Sequence, residues 1–286
     1  MADLLAGLEK FGLDFLKGAG LYEEEEKEKA AKAPPPPPKE MQEEDYLFDK
    51  SYECPVCYAA IKARTVRTAK ARLVRTDMDL RPVYEKFEPL KYDVIICPVC
   101  GYAVTSRYFG GLVGFQKEAI KEVISAAYHP TEEKATYTYE EALERYKLSL
   151  ASAVVKKARA SEKAYICLKS GWLLRSMWEN LDEQTPDRDK KLADLKEQEK
   201  VFLQNALDGL LNARQTETYP MCGMDQTTAE YLISVLAMND GRFEISSRII
   251  SDLLTSRSTN RRIKDKARDV KEELIKRIRE QKARSV

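Results

Sequence analysis

Cys54-Pro55-Val56-Cys57 and Tyr92-Asp93-Val94-Ile95-Ile96-Cys97-Pro98-Val99-Cys100-Gly101 are the two stretches that decide the fold of this 286-residue chain. A Cys-x-x-Cys loop curls so that two thiolates point at one spot, with backbone amides directed at the sulfurs. Two such loops brought together by strands supply four ligands at about 2.3 Å in a tetrahedron, a closed structural zinc site. Gly101 follows the second pair and supplies the positive φ such a loop often needs. Tyr58 stands at the matching place after the first pair, a departure from that pattern.

The rival reading is redox chemistry, because Cys-Pro-x-Cys also resembles a glutaredoxin-type motif. That motif needs a strand before it and a helix after it. Strand-like sequence punctuated by proline surrounds both pairs here, and the same tetrapeptide occurs twice. The spacing therefore favours a zinc ion held by Cys54, Cys57, Cys97 and Cys100, with a thiol or zinc redox sensor as an alternative. Cys167, in a helical pattern, reads as a core thiol, and Cys222 as a free loop thiol.

Outward from the cysteines, residues 46–111 form a β-rich, zinc-ribbon-like head. Residues 61–75 are short, β-branched or basic, and 92–97 reads as a strand running into the second pair; Pro82 and Pro89 break the stretch between them. Residues 112–286 carry a helical pattern. Thr138 and Glu141 make a capping box ahead of Leu143, Tyr146 and Leu150. Further helices are predicted over about 158–181, 189–213 and 260–282, with two shorter ones flanking Asn239-Asp240-Gly241. That last pair looks like a tetratricopeptide unit, with Ser234, Ala237 and Ser246 as small residues at a helix crossing and Gly241 and Phe243 at the turn. The fold expected is mainly α with a small β-rich head, its tail made of stacked, tetratricopeptide-like helical hairpins. Ahead of the head lie an amphipathic segment over 1–21, with Leu4, Leu8, Phe11 and Phe15 at helical spacing, and a charged, proline-rich linker over 22–45.

Composition bounds the function. Charged residues are 33% of the chain but the net charge is only +1, so no whole-chain field favours nucleic acid or a membrane surface. No apolar run spans a bilayer, the first twenty residues lack a basic leader, and Cys-x-x-Cys pairs suit a reducing compartment; the expected location is the cytoplasm. One histidine, His129, leaves no triad, and no phosphate-binding glycine motif occurs. These absences point away from an enzyme.

Two local clusters need weighing. Arg64, Arg67, Lys70, Arg72 and Arg75 lie between the pairs, with no acid from 58 to 76. They could meet a polyanion or a protein partner, or neutralise the net −2 of a zinc with four thiolates. No aromatic residue interleaves with them, which counts against stacking on single strands. Asp77 and Asp79 would place two carboxylates on one face of a strand, as a cation or acid–base pair, or as turn residues paired with Arg75 and Arg81.

CPVC, VRTAKAR, DMDLRPVY and YDVIICPVCGYAV together resemble a bacterial family of uncharacterised proteins, a domain-of-unknown-function family found mostly in Gram-positive and related bacteria. The resemblance covers about residues 46–250, and CPVCGYA at 97–103 is its strongest piece. It implies a zinc-ribbon-like head with Cys54, Cys57, Cys97 and Cys100 as ligands, a tetratricopeptide-like tail, and scaffolding rather than a reaction. The reading that results is a zinc-binding scaffold or adaptor whose helical surface holds a protein or peptide. A nucleic-acid-binding zinc ribbon is the alternative partner class.

Overall fold

A computed structural model of the chain describes residues 42–284. The expected amphipathic segment over 1–21 and the five consecutive prolines lie outside the described residues. Three antiparallel hairpins come first: β1 Leu47–Glu53 with β2 Ala60–Val66, β3 Leu73–Thr76 with β4 Pro82–Tyr84, and β5 Val94–Ile96 with β6 Ala103–Thr105. Seven helices follow: α1 Gly114–Ile120, α2 Tyr139–Val155, α3 Ala160–Glu179, α4 Arg188–Thr216, α5 Gln226–Asn239, α6 Phe243–Thr255 and α7 Arg261–Arg284. Among the described residues, no helix is long and apolar enough to cross a membrane.

Local chemistry accounts for the helix ends. Thr138 Oγ1 accepts from the Glu141 N–H (3.2 Å) while Glu141 accepts from the Thr138 N–H (2.8 Å), the reciprocal pairing of a capping box. Asp225 caps α5 by accepting from the Thr228 N–H at 2.7 Å. Gly241, at φ +80°, turns the chain from α5 into α6, and Ser234, Ala237 and Ser246 are fully buried. Where α3 and α4 cross, a residue without a Cβ is needed: a Cβ on Gly209 of α4 would stand 2.8 Å from the Ala164 Cβ of α3.

Three expectations change in detail. The helical pattern expected from residue 112 is interrupted, and 126–137 is irregular between a π-type turn, Lys121–Ser125, and α2. Pro82 does not break a strand but opens β4, as the first residue of a short edge strand can. Residues 43–45, read as linker, are packed. Glu43–Tyr46 forms a 3-10 turn, Glu43 accepts from the Tyr92 phenol (2.7 Å) and pairs with Lys91 (2.5 Å), and Tyr46 stacks on Phe87 with ring centroids 4.7 Å apart.

From Glu43 onward the described residues form one compact unit, and the 111/112 division drawn from the sequence falls inside it. The hairpin β5–β6 explains why. Val94 and Ala103 pack with Leu143, Tyr146 and Leu173 of the helices, whereas Ile95 and Val104 pack with the cysteines. Successive strand residues face opposite sides, so this one hairpin is buried on both.

Candidate metal centre

Each cysteine pair lies in the connection of a hairpin: residues 54–59 join β1 to β2, and residues 97–102 join β5 to β6. The two loops repeat the same backbone bonds. Cys54 N–H donates to Ala59 O (3.0 Å) and Tyr58 N–H to Cys54 O (2.9 Å); Cys97 N–H donates to Tyr102 O (2.9 Å) and Gly101 N–H to Cys97 O (2.9 Å). Gly101 has φ +72° and Tyr58 φ +62°, so the tyrosine adopts the left-handed conformation that its place in the loop demands. Its ring lies exposed, with its phenol accepting from Lys117 of α1 at 2.8 Å. Gly101 has no such freedom, because a Cβ there would stand 2.4 Å from the Tyr128 Cγ.

The four sulfurs all lie within 4.8 Å of one another. Cys54 and Cys100 are 3.6 Å apart, Cys57 and Cys97 3.5 Å. A tetrahedron with metal–sulfur bonds of about 2.3 Å has sulfur–sulfur edges of about 3.8 Å, whereas a disulfide needs about 2.05 Å. Four cysteines spaced in this way, with no carboxylate or imidazole among them, could hold a metal ion, and an all-sulfur tetrahedral donor set is one that zinc accepts. Cys54 and Cys97 are fully buried, Cys100 nearly so.

Proton affinities reflect the crowding. Cys97, hydrogen-bonded by the Cys100 and Cys54 thiols and by backbone N–H groups of Cys100 and Val99, is held down to about 2. Cys100 is pushed far up by its bonds to Cys54 and Cys97 and by burial. Cys54 is pulled down by Cys100, yet the bond to Cys97 and burial carry it up to about 11. Without a cation, four thiolates at these distances repel one another, so protons bridge them.

The basic run lies elsewhere. Arg64 pairs with Asp49 (2.8 Å), Arg72 with Glu85 (3.4 Å) and Arg75 with Asp77 (3.1 Å), while Arg67 donates to Leu47 O (3.0 Å) and Lys70 to Asp45 O (3.0 Å). Their partners are carboxylates and backbone carbonyls, not the sulfurs. His129 is exposed. Cys167 is buried, with burial pushing its thiol up to about 11. Cys222, expected as a free loop thiol, is buried and donates to Ser161 O at 3.1 Å.

Asp77 and Asp79 occupy the turn between β3 and β4, not a strand face, and Asp77 pairs with Arg75 and Arg81 as the turn reading expected; the cluster they enter extends to helix residues that the sequence reading did not connect with them. Arg81, 1% exposed, donates to Asp77 (2.7 Å), to both oxygens of Glu179 (2.6 and 2.8 Å) and to Ser176 (3.0 Å). Arg175 bridges Asp79 (2.8 Å) and Glu199 (2.7 Å), and the indoles of Trp172 and Trp178 donate to Asp79 (3.1 Å) and Glu199 (2.6 Å). Burial raises Asp77, but the Arg81 bond and the charges of Arg81, Arg75 and Arg175 outweigh it and hold the carboxyl below its ordinary value. One signal was legible: Arg175 is a lone cation within Trp172-Leu173-Leu174-Arg175-Ser176-Met177-Trp178, where an apolar stripe should continue.

The model of a family described as an uncharacterized protein conserved in bacteria (DUF2225) matches residues 47–274, from the first residue of β1 into α7. The chain belongs to this family. No curated protein and no solved structure matches it.

Proposed function

We propose that the protein is a non-enzymatic, zinc-stabilised scaffold of the cytoplasm. A zinc-ribbon-like head is closed by Cys54, Cys57, Cys97 and Cys100, and the helices, stacked in tetratricopeptide fashion, offer a surface to a protein or peptide. The observation that carries the reading is the convergence of four thiols within 4.8 Å on two loops with matching backbone bonds. A catalytic zinc keeps an open position for water or substrate; here all four donors are cysteines, three of them buried, as a closed structural site requires.

A groove of about 530 Å³ between α2, α3 and α4 supports the partner half of the reading. Ala160, Ala164 and Gly209 line it together with the exposed Val154 and Val201, a mix of small and apolar residues suited to side chains from a peptide or helix. The local pairing of Arg64, Arg67, Lys70, Arg72 and Arg75 leaves the nucleic-acid alternative without a specific observation behind it.

The purified chain should carry about one zinc, and Cys54→Ser or Cys100→Ser should release it. Structural zinc in small peptides contributes about 10–16 kcal/mol of apparent binding energy, so its removal should unfold the hairpins. A metal-free protein whose pairs cycle reversibly through disulfides would replace this reading with the redox one.

A further inference from the structure

The last helix has a charge pattern of its own. α7 carries eleven Lys or Arg against five Asp or Glu, a surplus of six in a chain whose net charge is only +1. Residues three or four apart are neighbours on one face of a helix. Lys264, Arg268, Lys271, Ile275, Arg279 and Lys282 follow one another at those steps, and none of the five acids falls on their line. The stripe runs about 27 Å. Arg268 pairs with Asp265. Among the described residues, Lys264, Lys271, Arg279 and Lys282 have no carboxylate partner. The basic run of the head is different, since carboxylates and carbonyls hold its cations.

This stripe borders a groove of about 960 Å³ between α6 and α7. Phe243 and Ile245 of α6 and Ile278 of α7 line it, each half-buried. Ile275, 40% exposed, and Lys282 stand three and four residues from Ile278, so both lie beside the groove. The other flank of α7 is turned to α5: Arg277 donates to Asn239 Oδ1 at 2.9 Å, and the Lys266 Nζ lies 5.7 Å from the Tyr231 ring centroid. The α6 wall is electrically mixed, with exposed Arg248 against exposed Glu244 and Asp252. The groove therefore has apolar residues at its floor and unpaired cations along one rim only.

We propose that this groove binds an acidic amphipathic helix of a partner protein. The apolar face of that helix lies on Phe243, Ile245 and Ile278, and its carboxylates meet Lys271, Arg279 and Lys282. Recognition of a helix in a groove rests on apolar anchors at helical spacing, and opposite charge at the rim selects the partner and speeds encounter. A nucleic acid fits less well, because its phosphates would also meet Glu244 and Asp252, and the stripe offers its bases no aromatic residue to stack on. The site rests on the partner half of the scaffold reading, but needs neither the zinc nor the groove between α2, α3 and α4.

The test titrates the full, zinc-loaded chain into a fluorescein-labelled helical peptide of about 14 residues, about 21 Å long, with leucines on one face and glutamates elsewhere. A matched peptide carries lysine for every glutamate. Fluorescence anisotropy at about 0.15 M salt should give the glutamate peptide a Kd below about 100 µM, and the lysine peptide at least about tenfold weaker binding. Lys271→Glu, Arg279→Glu and Lys282→Glu together, all at exposed positions without a carboxylate partner, should reverse that preference. If this triple variant fails to fold, Lys282→Glu alone decides, with an expected loss of about threefold or more. Equal affinity for the two peptides, no binding of the glutamate peptide, or an unchanged preference in the variants would each overturn the proposal. So would tighter binding of a duplex DNA of about 14 base pairs, about 48 Å long, that the same substitutions remove. Val201→Glu, in the groove between α2, α3 and α4, should leave the glutamate peptide bound. Loss in Val201→Glu without loss in the triple variant would overturn this site while leaving the scaffold reading in place.

Discussion

Replacing Arg81 by methionine keeps an unbranched stem of similar length to the aliphatic part of arginine and removes the guanidinium with its charge. Arg81 comes from the β3–β4 hairpin, and its partners Ser176 and Glu179 from α3, so its bonds fasten the hairpin to the helices across 95–98 residues of sequence. Removing one member of a buried pair costs about 3–5 kcal/mol, because the other charge is left uncompensated. Two facts argue for the lower end. Glu179 is 30% exposed and can rehydrate, and Asp77 keeps Arg75 at 3.1 Å and Arg175 at 3.6 Å. A loss of about 3 kcal/mol is expected, lowering Tm by about 6–12 °C for a unit of this size. Urea unfolding of the zinc-loaded protein, followed by tryptophan fluorescence, measures it directly, since both indoles donate into the same cluster. Arg81→Lys should recover less than half, because one ammonium cannot reproduce a guanidinium fork on three partners. A cost under about 1 kcal/mol for Arg81→Met, or a lysine variant as stable as the native chain, would refute the reasoning.

Further outcomes follow from single positions. Gly101→Ala should destabilise the head and loosen its metal, since the new methyl meets Tyr128 and the positive φ costs about 1–2 kcal/mol; Tyr58→Gly should leave metal content intact, and the reverse order in a zinc-release assay would contradict the loop geometry. Gly209→Ala should cost about 1–3 kcal/mol by forcing α3 and α4 apart, and a neutral thermal shift would show that the crossing can yield. Burial raises Glu88, against bonds from Ser176 (2.5 Å) and the Leu90 N–H (3.0 Å) that lower it. A carboxyl raised on folding contributes stability below its unfolded pKa and loses it as pH rises through the folded one. Glu88→Gln should therefore gain Tm relative to the native chain at neutral pH, with the gain shrinking as pH falls toward the carboxylate range; a gain independent of pH would assign Glu88 no such role.

Much of this was legible before any coordinates. The cysteine spacing announced four converging sulfurs, and Thr138 with Glu141 announced the start of α2, because both signals are local chemistry within a few residues. Gly241 marked the turn between two helices in the same way. What stayed hidden is non-local. Arg81 and Glu179 are almost a hundred residues apart, and no periodicity links a hairpin turn to a helix face. Tyr58 misled for another reason: its side chain disfavours a left-handed backbone, but two loop hydrogen bonds and the Lys117 contact over-determine it. Intrinsic preference lost to context at a cost of about 1–2 kcal/mol.

The hairpin β5–β6 ties these features to one another. In its register Ile95 faces Val104 and Ile96 faces Ala103, so the pair packed on the cysteines and the pair turned toward the helices alternate along three residues. A hairpin this short is not stable alone; the cysteine cluster at one end and helix packing on one face hold it. The same alternation makes the helices dependent on the head. Loss of the cysteine cluster should loosen Val94 and Ala103 along with Ile95 and Val104, and expose the apolar surface that Leu143, Tyr146 and Leu173 bury with the hairpin. The cysteine loop thus supports the helices through a single strand pair, while Arg81 supports them through the neighbouring hairpin, which is why loss of either should be felt in the surface proposed to hold a partner.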